Sequence, residues 1–156
     1  MVEGLILLTC VGAGTVGGIF FGFSSFIMKA LSELPTVQGV ATMQRINVVV
    51  LNPLFLTLFV GTTVLGVTCV ALAFFPWSVS RSTLLIAAGA LYVVGSFLVT
   101  GRFNVPMNNR LERLDAESAE AAAYWPQYVR QWLWWNHVRT GASAASCACS
   151  ALALAQ

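Results

Sequence analysis

The sequence predicts an all-α, integral membrane four-helix bundle with short interfacial helices, a single domain over residues 1–156, and three observations carry that prediction. Of the 156 residues, 58% are hydrophobic and only 9% charged, with a mean hydropathy of +0.79. A soluble domain carries about 25% charged residues, and a chain this apolar does not stay solvated as a disordered coil. Charge-free runs cover residues 4–28, 46–80 and 82–101, each at or beyond the roughly 20 residues that a helix needs to cross a bilayer. The charges that remain, eight Lys and Arg against six Asp and Glu, sum to only +2 and are scattered. They make no nucleic-acid surface.

The first span is expected over residues 4–28. Its start is acidic, at Glu3, and its apolar stretch far exceeds the roughly 7–15 residues of a signal-peptide core, so it reads as a retained helix. Gly14, Gly18 and Gly22 recur at every fourth position, a spacing that lets another backbone approach closely in lipid, within the chain or in a homo-oligomer. The long second run divides at Asn52 and Pro53, an N-cap followed by a proline whose missing donor costs nothing in the first turn. The second span is therefore expected over 53–75, closed by Pro76 and Trp77. Residues 37–51 form either a separate interfacial helix or the first part of one helix kinked at Pro53.

The third span is expected over 82–103. In it Tyr92, Ser96, Thr100 and Asn104 step by four and form a polar stripe that faces protein. Residues 104–109 combine Pro106 with three asparagines and are expected to break the helix, leaving 110–123 as a short charged helix. The last charge-free run, 141–156, is too short to cross alone, so the fourth span, over 132–154, must take in Asn136, His137 and Arg139. Asn136, Thr140, Ser143 and Cys147 make its inward stripe. Trp125, Tyr128, Trp132, Trp134 and Trp135 read as an aromatic belt at the headgroup level.

With four spans, Lys29, Arg45, Arg102, Arg110, Arg113, Arg130 and Arg139 lie on one side and Arg81 alone on the other. The positive-inside rule then puts loops 29–52 and 102–135 in the cytoplasm and both termini outside a plasma membrane. Asn52, Asn104, Asn108, Asn109, Asn136, His137, Arg139 and Thr140 gather at the cytoplasmic ends, together with Lys29. Unpaired polar groups at such depth cost several kcal/mol, which makes these residues functional candidates. The asparagines also suit helix capping, and Arg139 suits snorkelling to phosphates. Capping offers no account of His137 and Arg139, which lie inside the helix.

Cys10, Cys69, Cys147 and Cys149 fall in the outer halves of their helices, where a disulfide or a soft-metal site is conceivable. No CxxC or CxxH spacing occurs, and Cys147 and Cys149 point to different faces, so they read as small buried residues at helix contacts. The chain has one histidine, no Glu-x-x-His pair, no phosphate loop and no dinucleotide fingerprint. No metal or cofactor is expected. A transporter is disfavoured, since the spans show neither an inverted repeat nor an acidic residue.

Four stretches, Met43-Gln44-Arg45-Ile46-Asn47, Leu51-Asn52-Pro53-Leu54-Phe55, Asn104-Val105-Pro106-Met107-Asn108-Asn109 and Trp135-Asn136-His137-Val138-Arg139-Thr140, resemble the DUF1772 or anthrone oxygenase-like membrane proteins, over nearly the whole chain. The resemblance implies an oxygenase of aromatic polyketide pathways that turns an anthrone into a quinone, with molecular oxygen as co-substrate and a hydrophobic aromatic molecule as its partner. An anthrone loses a doubly benzylic proton to give an electron-rich anion, so the protein needs a base, donors for the oxyanion and a dry pocket. Histidine is the side-chain type that changes charge near neutral pH, which makes His137 the expected base. Arg139, Asn136, Asn104 and Asn108 are then expected to hold the substrate's oxygens, with Tyr92, Phe103 and Trp132 stacking on its rings and Asn52, Asn109 and Thr140 completing the site. The rival expectation is a non-enzymatic membrane subunit that binds a lipid, a quinone or a protein partner.

Overall fold

The computed structural model describes residues 2–75 and 78–156; the expected closure of the second span by Pro76 and Trp77 lies outside the described residues. Helix α1 (Val2–Gly22) passes through a π turn (Phe23–Ile27) into α2 (Met28–Glu33). One continuous helix, Val2–Glu33, results, running past the expected end at residue 28. Lys29 and Glu33 face each other across one turn at 3.9 Å, and the helix stops only where Leu34 turns extended ahead of Pro35.

Helix α3 (Thr36–Val49) is a separate element, which settles the choice left open for residues 37–51. Asn52 is extended, its Oδ1 accepts from the Phe55 N–H at 3.0 Å, and Pro53 opens α4 (Pro53–Leu72). The cap and proline act there as their chemistry requires.

Helix α5 (Val79–Tyr92) continues through two π turns, Val93–Leu98 and Thr100–Asn104, into α6 (Val105–Glu112). The break expected at residues 104–109 is absent: the helix runs unbroken over Val79–Glu112. A π turn already shifts the backbone register and leaves a carbonyl without its usual donor, so Pro106, in the first turn of α6, withholds its N–H where little is lost. The short helix expected over 110–123 is likewise replaced. Glu112 ends α6, a turn follows, and Ser118 Oγ accepts from the Ala121 N–H at 3.1 Å to cap α7 (Ala119–Leu154). That helix has 36 residues and starts well before residue 132.

Helices α1, α4, α5 and α7 pack as a ring, each against two neighbours. Three helices, Val2–Glu33, Pro53–Leu72 and Val79–Glu112, are long and apolar enough to cross a membrane. The expected four such spans stand at three among the described residues, because α7 carries Asn136, His137, Arg139 and four serines or threonines along its second half. The aromatic belt is also corrected. Trp125, Tyr128 and Trp132 are buried among Met28, Leu31, Val40, Met43 and Leu111, because α2, α3 and α6 close around α7 and offer those rings an apolar socket. Only Trp134 is exposed, at 64%.

The glycines divide differently from their spacing. A Cβ on Gly14 would lie 3.2 Å from Cys147 Sγ, but Gly18 has open space and Gly22 meets only Phe26 and Ile27 of its own helix. Gly12 and Gly17 make the tight approaches, to Thr62 and Ser143. Helix α1 is gripped from two sides, by α4 and α7, so no single row of glycines serves both contacts.

Candidate functional site

Both polar stripes face the interior and bond to each other. On the α5 to α6 run, Tyr92, Ser96 and Asn104 are buried. Ser143 Oγ donates to Ser96 Oγ at 3.2 Å, Arg139 Nη1 to Thr100 Oγ1 at 3.1 Å, and Asn104 Nδ2 to the Trp132 carbonyl at 3.2 Å. Together with Ser146 Oγ, which donates to the Ala88 carbonyl at 2.8 Å, these contacts register α7 on its neighbour over about four turns.

Arg139 is 4% exposed, and no carboxylate pairs with it among the described residues. A buried cation without a counter-ion is costly. Two neutral acceptors and two rings offset the cost here: Nη2 donates to Asn136 Oδ1 at 2.7 Å, Nη1 reaches Thr100, and the guanidinium lies 4.2 Å from the Phe20 ring centre and 5.1 Å from that of Trp132. Its Nε and the nearby Asn104 Oδ1 have no partner.

Asn136 fixes the next layer. Its Nδ2 donates to the Phe20 carbonyl at 2.7 Å and to Ser24 Oγ at 2.8 Å, while its Oδ1 accepts from Arg139. The amide therefore has only one orientation. Ser24 Oγ also contacts Thr140 Oγ1 at 3.2 Å and His137 Nδ1 at 2.9 Å. Thr140 spends its own proton on the Asn136 carbonyl, so the Ser24 hydroxyl donates to Thr140. Both lone pairs of Ser24 then accept, from Asn136 and from His137. This assigns the proton of a neutral His137 to Nδ1 and leaves Nε2 as its acceptor.

His137 is exposed. Successive helix positions are about 100° apart, so His137 and Arg139 lie on different sides of α7. His137 borders a shallow, open groove of about 650 Å³ lined also by Phe103, Arg130, Gln131, Leu133, Trp134 and Trp135. Phe103 and Trp135 stack flat there, with centroids 3.6 Å apart and planes 6° from parallel. The expected constellation is thus split into a buried part around Arg139 and an exposed part around His137, joined through Asn136 and Ser24.

The other candidates scatter. Asn108 Oδ1 accepts from both the Tyr128 hydroxyl and Trp132 Nε1, each at 2.9 Å, and so ties α6 to α7. Burial pushes the Tyr128 phenol well above its ordinary range, only partly offset by the adjacent Asn47 amide; it remains a neutral donor. Tyr92 belongs to a separate aromatic group with Phe59, and its hydroxyl donates to the Phe59 carbonyl at 3.4 Å. Asn52 is an exposed cap, Asn109 is exposed, and Lys29 pairs with Glu33. Sequence reasoning missed Ser24 and Phe20. The signal was available for Ser24, a hydroxyl inside an apolar run that needs a partner.

Fold and site together define a small helical membrane protein with a histidine-containing polar network set into one end of its bundle. The family model described as Anthrone oxygenase matches residues 54–149, and the chain belongs to that family, the DUF1772 family. The match includes Asn104, Asn108, Asn136, His137, Arg139 and Thr140 but stops short of Phe20 and Ser24. No curated relative and no solved structure matches the chain.

Proposed function

We propose that this oxygenase-like membrane protein oxidises an anthrone-type aromatic polyketide to a quinone with molecular oxygen, at the groove beside His137. The observation that carries the reading is the saturated Ser24 hub, which leaves His137 Nε2 as a free acceptor next to a wall of stacked aromatic rings. Nε2 takes the doubly benzylic proton, and Nδ1–H to Ser24 holds the resulting imidazolium. The substrate anion then passes electrons to oxygen; overall a CH2 group and O2 become C=O and H2O. Phe103 and Trp135 face the planar rings. The substrate's oxygens lie toward Arg130 and Gln131, while Arg139 acts from behind, through Asn136, on the position of His137.

In this reading the reaction draws on O2 as co-substrate and on no further cofactor, and a hydrophobic substrate enters from the lipid. The chain sits in a plasma membrane with α7 as its fourth span, both termini outside and residues 29–52 and 102–135 in the cytoplasm. Oxygen uptake by the detergent-purified protein on adding an anthrone, with quinone absorbance followed in the same cuvette, tests it. Protein-dependent uptake is expected, and His137→Ala should lower it by about 10²- to 10⁴-fold with an unchanged Tm. No acceleration over the spontaneous reaction would overturn the proposal; a fully active His137→Ala would overturn the base.

A further inference from the structure

We infer that Cys10 and Cys147 form an intramolecular disulfide under oxidation, pinning α1 to α7. These residues lie 137 positions apart in the chain, yet their Sγ atoms are 3.6 Å from each other and Cys10 Sγ is 3.5 Å from the Cys147 carbonyl oxygen. A disulfide needs the sulfurs about 2.05 Å apart, so closure asks for a movement of about 1.5 Å, within reach of side-chain rotation. The backbones are already close. A Cβ on Gly14, one turn beyond Cys10, would lie 3.2 Å from Cys147 Sγ, and one on Gly17 would lie 3.2 Å from Ser143 Cβ.

The pairing is selective. Cys69 is buried with its sulfur 3.4 Å from Thr9 Oγ1, and Cys149, two positions from Cys147, lies on another side of α7. All four thiols are free in the structure. With hydrogen peroxide as oxidant the step balances as two thiols and one H2O2 giving one disulfide and two waters. The seam that it locks is the one along which Ser24 of the first helix meets Asn136, His137 and Thr140 of α7. The inference stands on the cysteine geometry and is independent of the proposed reaction.

The test is peroxide treatment of the full-length protein in detergent, alkylation of residual thiols, digestion and mass mapping. A Cys10–Cys147 linked peptide is expected, with Cys69 and Cys149 alkylated, and the link should persist in the Cys69→Ser, Cys149→Ser double variant. The oxidised protein should melt several degrees higher, and a reducing agent should reverse the shift, as expected when the cross-link closes a long loop. Four alkylated thiols after treatment, a link through Cys149, or a link between two molecules would each overturn the inference. The wild-type peptide map decides this even where the double variant fails to fold.

Discussion

The two ends of the bundle are held together by different physics. At the end surrounded by α2, α3 and α6, large rings fill the interior and directional bonds fix them: Trp125, Tyr128 and Trp132 are buried, Asn108 accepts from two of them, and Gln44 Nε2 donates to the carbonyls of Leu111 and Leu114 at 2.9 and 2.8 Å. Toward the termini the core is Ile6, Cys69, Ala73, Leu85 and Ala153, and the helices hold by closeness of backbone. A Cβ on Gly89 would overlap the Gly66 carbonyl oxygen. Large rings held by directional bonds are thus concentrated where chemistry is proposed, while the opposite end combines close backbones with short contacts of small side chains, such as Ser146 Oγ donating to the Ala88 carbonyl at 2.8 Å. An added methyl should damage one end, and a lost acceptor the other.

The largest effect is expected from Gly89→Ala. The clash is with backbone, which cannot rotate away, so α4 and α5 must separate at a cost of about 3 kcal/mol. Thermal unfolding in detergent would show it as a Tm drop, whereas Gly18→Ala, which meets nothing within 4 Å, should leave Tm unchanged. Asn108→Ala strips the acceptor from two buried donors and should cost about 2 kcal/mol; Asn108→Asp keeps an acceptor and should lose less by the same measurement. If both were silent, the bonds at the aromatic end would be incidental.

Tyr128 sharpens the contrast through pH. Its folded-state value is raised by burial, so its contribution is complete below the unfolded tyrosine value near 10 and is lost as pH rises above it, by at most about 1.4 kcal/mol per pH unit. Tyr128→Phe should flatten the fall in Tm above about pH 10. The smallest effect belongs to Asn52→Ala, which removes an exposed cap and should cost about 1 kcal/mol with KM unaltered. A raised KM would add Asn52 to the substrate contacts.

Much of this arrangement was legible in the residues. The three apolar spans follow from where charges are absent, the Asn52 cap from its proline neighbour, and the inward stripes from their four-residue steps. The aromatic end was less so, because a tryptophan near a helix end suits a headgroup layer or a protein socket equally, and only the packing of α2, α3 and α6 decides. Pro106 misled for a related reason: proline disfavours a helix interior without forbidding it, as Pro126 inside α7 also shows, and the π turn that precedes Pro106 has no residue-type signature. The split between His137 and Arg139 was implicit in their separation by two positions. Ser24 went unread because its partners lie more than a hundred residues away.

Helix α7 has a mechanical consequence. Its 36 residues extend about 54 Å at 1.5 Å each, whereas a hydrocarbon core is about 30 Å thick. With α7 taken as the proposed fourth span, lipid would cover little more than half of it, and the rest would stand in water. Its upper stretch is braced by α2, α3 and α6, and its lower stretch lies in the ring with α1 and α5. Pro126, inside the braced stretch, withholds one backbone N–H from the helix, so a load on that end would be taken up as a bend there before it reached the thiol pair.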